Sequence, residues 1–167
     1  MNVEAIGRTA SSRDEWLTPP WMIRALGEFD LDPCAPVERP WPTAKMHYTI
    51  LNDGLSQPWR GRVWLNPPYG REVGKWLRRL AEHGDGIALI FARTETLFFF
   101  DWVWSQADAA LFLRGRIRFS NPDGSPGNHS ATFPSVLIAY GERNVKALED
   151  SGIPGCLIRL EGARIIG

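Results

Sequence analysis

The chain has 167 residues, 44% of them hydrophobic and 23% charged, with a formal net charge of zero. This suits one domain with a full apolar core and excludes a global electrostatic attraction to nucleic acid. Cys34 and Cys156 lie far apart without metal-ligand spacing, no apolar run approaches membrane-spanning length, and the polar N-terminus lacks a signal-peptide pattern; a disulfide scaffold, a zinc site and a membrane span are excluded, and a cytoplasmic location is expected.

Residues 1–13 are small and polar and are expected to form a flexible arm, leaving 14–167 as a single domain. Thr18, Pro19 and Pro20 mark a helix start, with Thr18 as a plausible cap, and the helix runs from Trp21 to Leu26 and stops at Gly27. Phe29 to Pro33 reads as a short strand, 34–43 as a proline-rich loop, and Met46 to Ile50 as a second strand. Asn52-Asp53-Gly54 is a turn signal, and Gly61 to Leu65 is a strand that runs into Asn66-Pro67-Pro68-Tyr69.

After Gly70, Val73, Trp76, Leu77 and Leu80 recur at helical spacing, and Gly84 and Gly86 end the pattern. Gly86 to Ala92 is a continuous apolar run, as in a strand buried on both faces. Leu97 to Trp104 is expected to be an aromatic helix on the sheet, and Ala109 to Leu113 another buried strand. Arg114 to Phe119 is read as that strand's continuation, with Arg114, Arg116 and Arg118 on one face. Residues 120–131 read as a flexible loop, Pro134 to Tyr140 as a final apolar strand, and Cys156 to Leu160 as an edge strand after a short helix. This alternation predicts an α/β fold with a mostly parallel sheet. Ligands bind such sheets beyond the carboxyl ends of the strands, where Asp32, Asp53, Asn66 and Arg93 all fall.

The chemistry is concentrated in Asn66-Pro67-Pro68-Tyr69. An amino group on a planar π-system is a poor nucleophile because its lone pair is delocalised. Two acceptors, one for each N–H, localise that lone pair without a strong base. The Asn66 side-chain oxygen supplies one and the Pro67 carbonyl the other, pre-aimed by two prolines with fixed φ. Tyr69 offers an aromatic face for a base, which has to leave the duplex to arrive there. Without that context the same four residues form a stiff turn after a strand. His47, His83 and His129 have no partner spacing and read as surface residues.

The order Asp-Glu-Trp-Leu-Thr-Pro-Pro over 14–20, then Leu31-Asp32-Pro33-Cys34, Asn52-Asp53-Gly54-Leu55, Trp59 and Asn66-Pro67-Pro68-Tyr69, resembles the phage-type DNA N6-adenine methyltransferases. The resemblance runs over about residues 13–141, and Gly115 to Phe119 share it. It implies S-adenosylmethionine as methyl donor, DNA with a flipped adenine as partner, and a phage or prophage origin. It also implies a Rossmann-like class I methyltransferase sheet with one antiparallel strand and helices on both faces. By the same resemblance Trp16, Thr18, Pro19, Asp32, Pro33, Cys34 and Asp53 hold the cofactor, and Asn66, Pro67, Pro68 and Tyr69 form the catalytic turn. Arg93, Arg116, Arg118, Phe119 and Asn128 are the expected nucleic-acid contacts, and no metal is expected.

The chain departs from the general pattern in three places. Cys34-Ala35-Pro36 stands where many methyltransferases carry glycines, no clear acid ends the second strand (Glu38 is a weak substitute), and no insertion is long enough for a separate DNA-recognition domain. Two rivals follow: an amino methyltransferase acting on an RNA base or a protein glutamine, and a non-catalytic nucleic-acid-binding module with the same fold.

Overall fold

The structure is a computed structural model that describes residues 17–166. Trp16 and the expected arm at 1–13 lie outside the described residues. The elements, in order, are α1 (Pro20–Leu26), β1 (Leu31–Asp32), β2 (Met46–His47), β3 (Val63–Leu65), α2 (Val73–His83), β4 (Gly86–Phe91) and α3 (Leu97–Phe99). They are followed by β5 (Ala109–Leu113), β6 (Arg118–Ser120), β7 (Pro126–Ser130), β8 (Ser135–Tyr140), α4 (Glu142–Asp150) and β9 (Gly155–Arg159). The aromatic run forms a short α-turn that widens into a π-helical turn over Phe100–Trp104.

Seven strands form one mixed sheet in the order β2-β1-β3-β4-β8-β5-β9. The β1–β2, β1–β3 and β3–β4 pairs are parallel, whereas β8 runs against β4 and β5, and β9 runs against β5. Two strands, β8 and β9, therefore oppose the rest, where one was expected. Period-two alternation divides the sheet residues between two cores. Val63, Leu65, Ala88, Ile90 and Ile138 pack with Val73, Trp76, Leu77 and Leu80 of α2 and with the aromatic turns. Trp64, Ile87, Leu89, Leu137 and Ala139 pack with Met22 and Leu26 of α1 and Val145 and Leu148 of α4. Full burial of each Leu, Ile, Val or Met side chain here contributes about 1.5–3 kcal/mol. The apolar run at β4 is buried along almost its whole length, as a strand covered on both faces requires.

Two sequence expectations fail between β5 and β8. Gly115 has φ 79°, so the chain turns there instead of continuing β5, and Arg114, Arg116 and Arg118 do not share one strand face. Residues 120–131 are not a loose loop: β6 and β7 pair antiparallel, with Arg118 opposite Ser130 and Ser120 opposite Pro126. This hairpin is fastened to the N-terminal segment by a bridge in which the Ser120 amide donates to the Leu17 carbonyl at 3.0 Å. His47 also differs from a plain surface residue, because its half-buried ring accepts the amide N–H groups of Thr43 and Ala44 at 3.2 and 3.3 Å.

One buried cation joins the far ends of this fold. Arg62, just before β3, donates through Nη1 to the carbonyls of Leu26 and Glu28, both at 2.9 Å, and so satisfies the end of α1. Its Nε donates to Asn144 Oδ1 at 2.6 Å, its guanidinium lies 4.2 Å from the Phe29 ring centroid, and Asn144 donates onward to Asp85 and to the Tyr140 carbonyl. Replacing Arg62 with Met removes these donors but keeps most of the packing, and is expected to lower the unfolding free energy by about 2–4 kcal/mol. Urea unfolding measures this; a loss below about 1 kcal/mol would show that the cores hold both helices without it.

Candidate functional site

The parallel pairing of β1, β3 and β4 brings their carboxyl ends to one edge of the sheet. A cleft of about 490 Å³ opens there, within the usual range for a small-molecule site. Thr18, Asp32, Pro33, Cys34 and Asp53, expected to face a cofactor, line it together with Asn66, Pro67, Pro68 and Tyr69. Residues spread over about a third of the chain are thus collected in one place.

Asn66 is the first residue after β3. Its Nδ2 donates to the Thr18 hydroxyl at 3.2 Å, and the Tyr69 hydroxyl donates to its Oδ1 at 3.4 Å. The amide is thus held between two hydroxyls, with Nδ2 toward Thr18 and Oδ1 toward Tyr69. Thr18 is buried and does not cap α1; its hydroxyl serves Asn66 instead. The Tyr69 ring lies flat on Phe91, with centroids 4.0 Å apart and planes 14° apart, and presents to Phe119 edge-on at 6.4 Å. Burial pushes the Tyr69 hydroxyl well above its ordinary pKa, so it stays protonated at neutral pH.

Asp32 ends β1 and is buried. One oxygen accepts the Cys34 amide at 3.0 Å and the other accepts the Thr43 hydroxyl. Loss of solvation outweighs these hydrogen bonds and raises its pKa to about 6. Burial, with Asp32 adding to it, also drives the Cys34 thiol upward; a thiol in that state is no nucleophile. Asp53 sits in an exposed turn with φ 50°, a conformation that Asp tolerates better than most residues. The next residue has to be glycine: a Cβ on Gly54 would stand 1.9 Å from the Pro33 carbonyl oxygen. Trp59 supports this turn from below, donating from Nε1 to the Gly54 carbonyl at 2.8 Å and stacking on Trp76.

Several lining residues were not anticipated. Trp41 donates from Nε1 to the Thr18 carbonyl at 3.1 Å, and Thr43 holds Asp32. Arg39, Ile50 and Trp76 also face the cleft. The only hint of Trp41 was its position between Pro40 and Pro42; Thr43 carried no signal.

The expected nucleic-acid residues lie outside the cleft. Arg93 follows β4, pairs with Glu95 at 2.9 Å and stacks on Phe133 at 5.4 Å. Arg116 donates to the carbonyls of Ala131 and Thr132, Phe119 is buried behind Tyr69, and Arg118 and Asn128 are exposed on the hairpin. Pro19 lies between the cleft and a second one on the α1 side. Among the described residues no group of three or more His, Cys, Asp or Glu side chains is placed to hold a metal, and no helix is long and apolar enough to cross a membrane.

Comparison with known proteins gives one match. No curated protein and no solved structure matches the chain. The model of the DNA N-6-adenine-methyltransferase (Dam) family matches residues 7–148, spanning the N-terminal segment, the cleft, the hairpin and β8. With most of its length covered by that match, the chain belongs to the DNA N-6-adenine-methyltransferase (Dam) family.

Proposed function

We propose that the protein transfers a methyl group from S-adenosylmethionine to the N6 amine of adenine in DNA. The observation that carries this reading is the Asn66 amide, held by Thr18 at the carboxyl end of β3 in the same cleft as Asp32 and Asp53. We read the sheet as Rossmann-like, because its parallel half β2-β1-β3-β4 carries the site beyond its carboxyl ends.

The cleft suits S-adenosylmethionine in size and in chemistry. Pro33, Ala35, Ile50 and Trp76 supply apolar wall for a purine, while Asp32 and Asp53 supply carboxylates for its cationic and hydroxyl groups and Arg39 a partner for its carboxylate. When bound, the cofactor supplies an electrophilic methyl group on a sulfonium.

The chain's own residues prepare the nucleophile. Thr18 fixes the Asn66 amide, so Oδ1 accepts one N–H of the target amine and the Pro67 carbonyl accepts the other. This pulls the amine lone pair out of conjugation and aims it along the transfer line. The bound donor would supply its methyl group to the amine held by Asn66 and Pro67, and the methylated amine would lose a proton to solvent. Tyr69 does not take that proton as a base, since its hydroxyl is already protonated.

Asn66→Ala is expected to lower methyl transfer to DNA by about 10²–10³-fold, with cofactor affinity within about threefold of the parent. Labelled S-adenosylmethionine, unmethylated DNA and mass identification of the nucleosides test this. N6-methyladenine from the parent alone is the expected result; transfer to RNA or to protein glutamine instead would overturn the substrate, and equal loss of cofactor binding would overturn the role of Asn66.

Asp32 makes a second, pH-dependent prediction. Its folded pKa is raised from 3.8 to about 6, so its contribution to stability is present below about pH 4 and lost as pH rises through about 6. A cationic ligand favours the ionised carboxylate, so binding releases a proton in this range. Cofactor affinity is expected to rise about tenfold from pH 5 to pH 7 in the parent and to stay flat in Asp32→Asn. Calorimetry across this range measures it; parallel profiles would remove Asp32 from cofactor binding.

A further inference from the structure

A second cleft, of about 510 Å³, lies on the other side of the Leu17–Pro19 segment. Thr18 lines the first cleft and Pro19 the second, so one residue step separates them. Arg24, Arg114, Arg116 and Arg118 all line the second cleft, and no Asp or Glu does. In a chain of zero net charge this is a concentrated positive field. Among the described residues none of the four has a carboxylate partner, and the side chains of Arg24, Arg114 and Arg118 make no hydrogen bond. Arg116 is anchored through Nη1 to two carbonyls and keeps its other donors.

The cleft also carries an aromatic surface. Trp21 is 46% exposed and stands three residues before Arg24, on the same side of α1. Guanidinium groups interleaved with an exposed indole form the pattern that holds single-stranded nucleic acid, the cations on phosphates and the ring under a base. A cleft of this volume admits nucleotide units of one strand, not a duplex. It also adjoins the catalytic turn: Phe119, next to Arg118, contacts Tyr69 edge-on.

We propose that this cleft binds a single-stranded segment of the substrate DNA beside the flipped adenine, with Arg24, Arg114, Arg116 and Arg118 on the phosphodiester backbone and Trp21 stacked on an unpaired base. The proposal rests on the reading of the protein as acting on DNA and adds the route of the strand. No recognition domain is needed for it, because the grip is on backbone and on a π-face common to all bases.

The test is fluorescence anisotropy with a labelled single-stranded oligonucleotide across a salt series. Arg24→Gln and Arg114→Gln are each expected to weaken binding about five- to tenfold and to reduce the slope of log K against log salt by about 0.7. Trp21→Ala is expected to weaken binding about tenfold, and its penalty should vanish on an oligonucleotide abasic at the stacked position while the arginine penalties persist. These side chains are exposed, and circular dichroism and cofactor calorimetry on each variant report folding separately. Parent-like affinity and salt slope in all three variants would overturn the cleft as a strand site. If the parent methylates DNA in that case, the proposal alone falls; if the parent neither methylates nor binds DNA, the reading beneath it falls as well.

Discussion

The site is organised around one buried carboxylate. Removing Asp32 from water is costly, and the chain offsets the cost by closing a loop around it. Its two oxygens take the Cys34 amide at the start of the proline-rich segment and the Thr43 hydroxyl at its end. The prolines lower the entropy lost when that segment is ordered. His47 holds the same end by accepting the Thr43 and Ala44 amides, and Trp41, at the centre, reaches across to the Thr18 carbonyl. Thr18 in turn holds Asn66. The wall of the cleft and the Asn66 amide thus belong to one connected network.

Much of this was legible in the sequence wherever the signal was local. The apolar run at 86–92 gave the central strand, and the helical spacing of Val73, Trp76, Leu77 and Leu80 gave α2. The acidic and Asn-Pro-Pro-Tyr segments were placed at strand ends, and parallel pairing then gathered them on one edge. What stayed hidden depended on distant partners. Residues 120–131 have the composition of a loop, and their strand character comes from pairing with β6 and from the bridge to Leu17. The direction of β9 follows from its register against β5, since an apolar pattern carries no sense of direction. Thr43 and Trp41 became site residues only once the loop folded back on Asp32 and Thr18.

The β6–β7 hairpin is held against the short segment that separates the two clefts. It is tied to Leu17 through Ser120, and its tip reaches Trp41: a Cβ built on Gly124 would lie 3.8 Å from the indole. Leu17 and Trp41 both line the first cleft, while Ser120 and Gly124 line the second. A ligand that presses on either side therefore meets the same short segment. Coupling between two sites requires a shared element whose arrangement both can bias, and Leu17 to Pro19 has the position for that role.

An aromatic row holds Tyr69 in place beside Asn66. Tyr69, Phe91 and Phe133 lie in sequence, with Phe91 and Phe133 tilted at 5.4 Å and Arg93 over the outermost ring. Tyr69 is therefore ordered before any substrate arrives, and little rotamer freedom remains to be lost on binding. Its hydroxyl points at Asn66 Oδ1, at 3.4 Å. A donor on that oxygen holds the carbonyl in place but weakens it as an acceptor. The Pro67 carbonyl, locked in a proline backbone, carries no such competing side-chain donor among the described residues. In the proposed reaction the two acceptors would thus be unequal: Asn66 would orient the amine through its network, and Pro67 would supply the less encumbered pull on the second N–H.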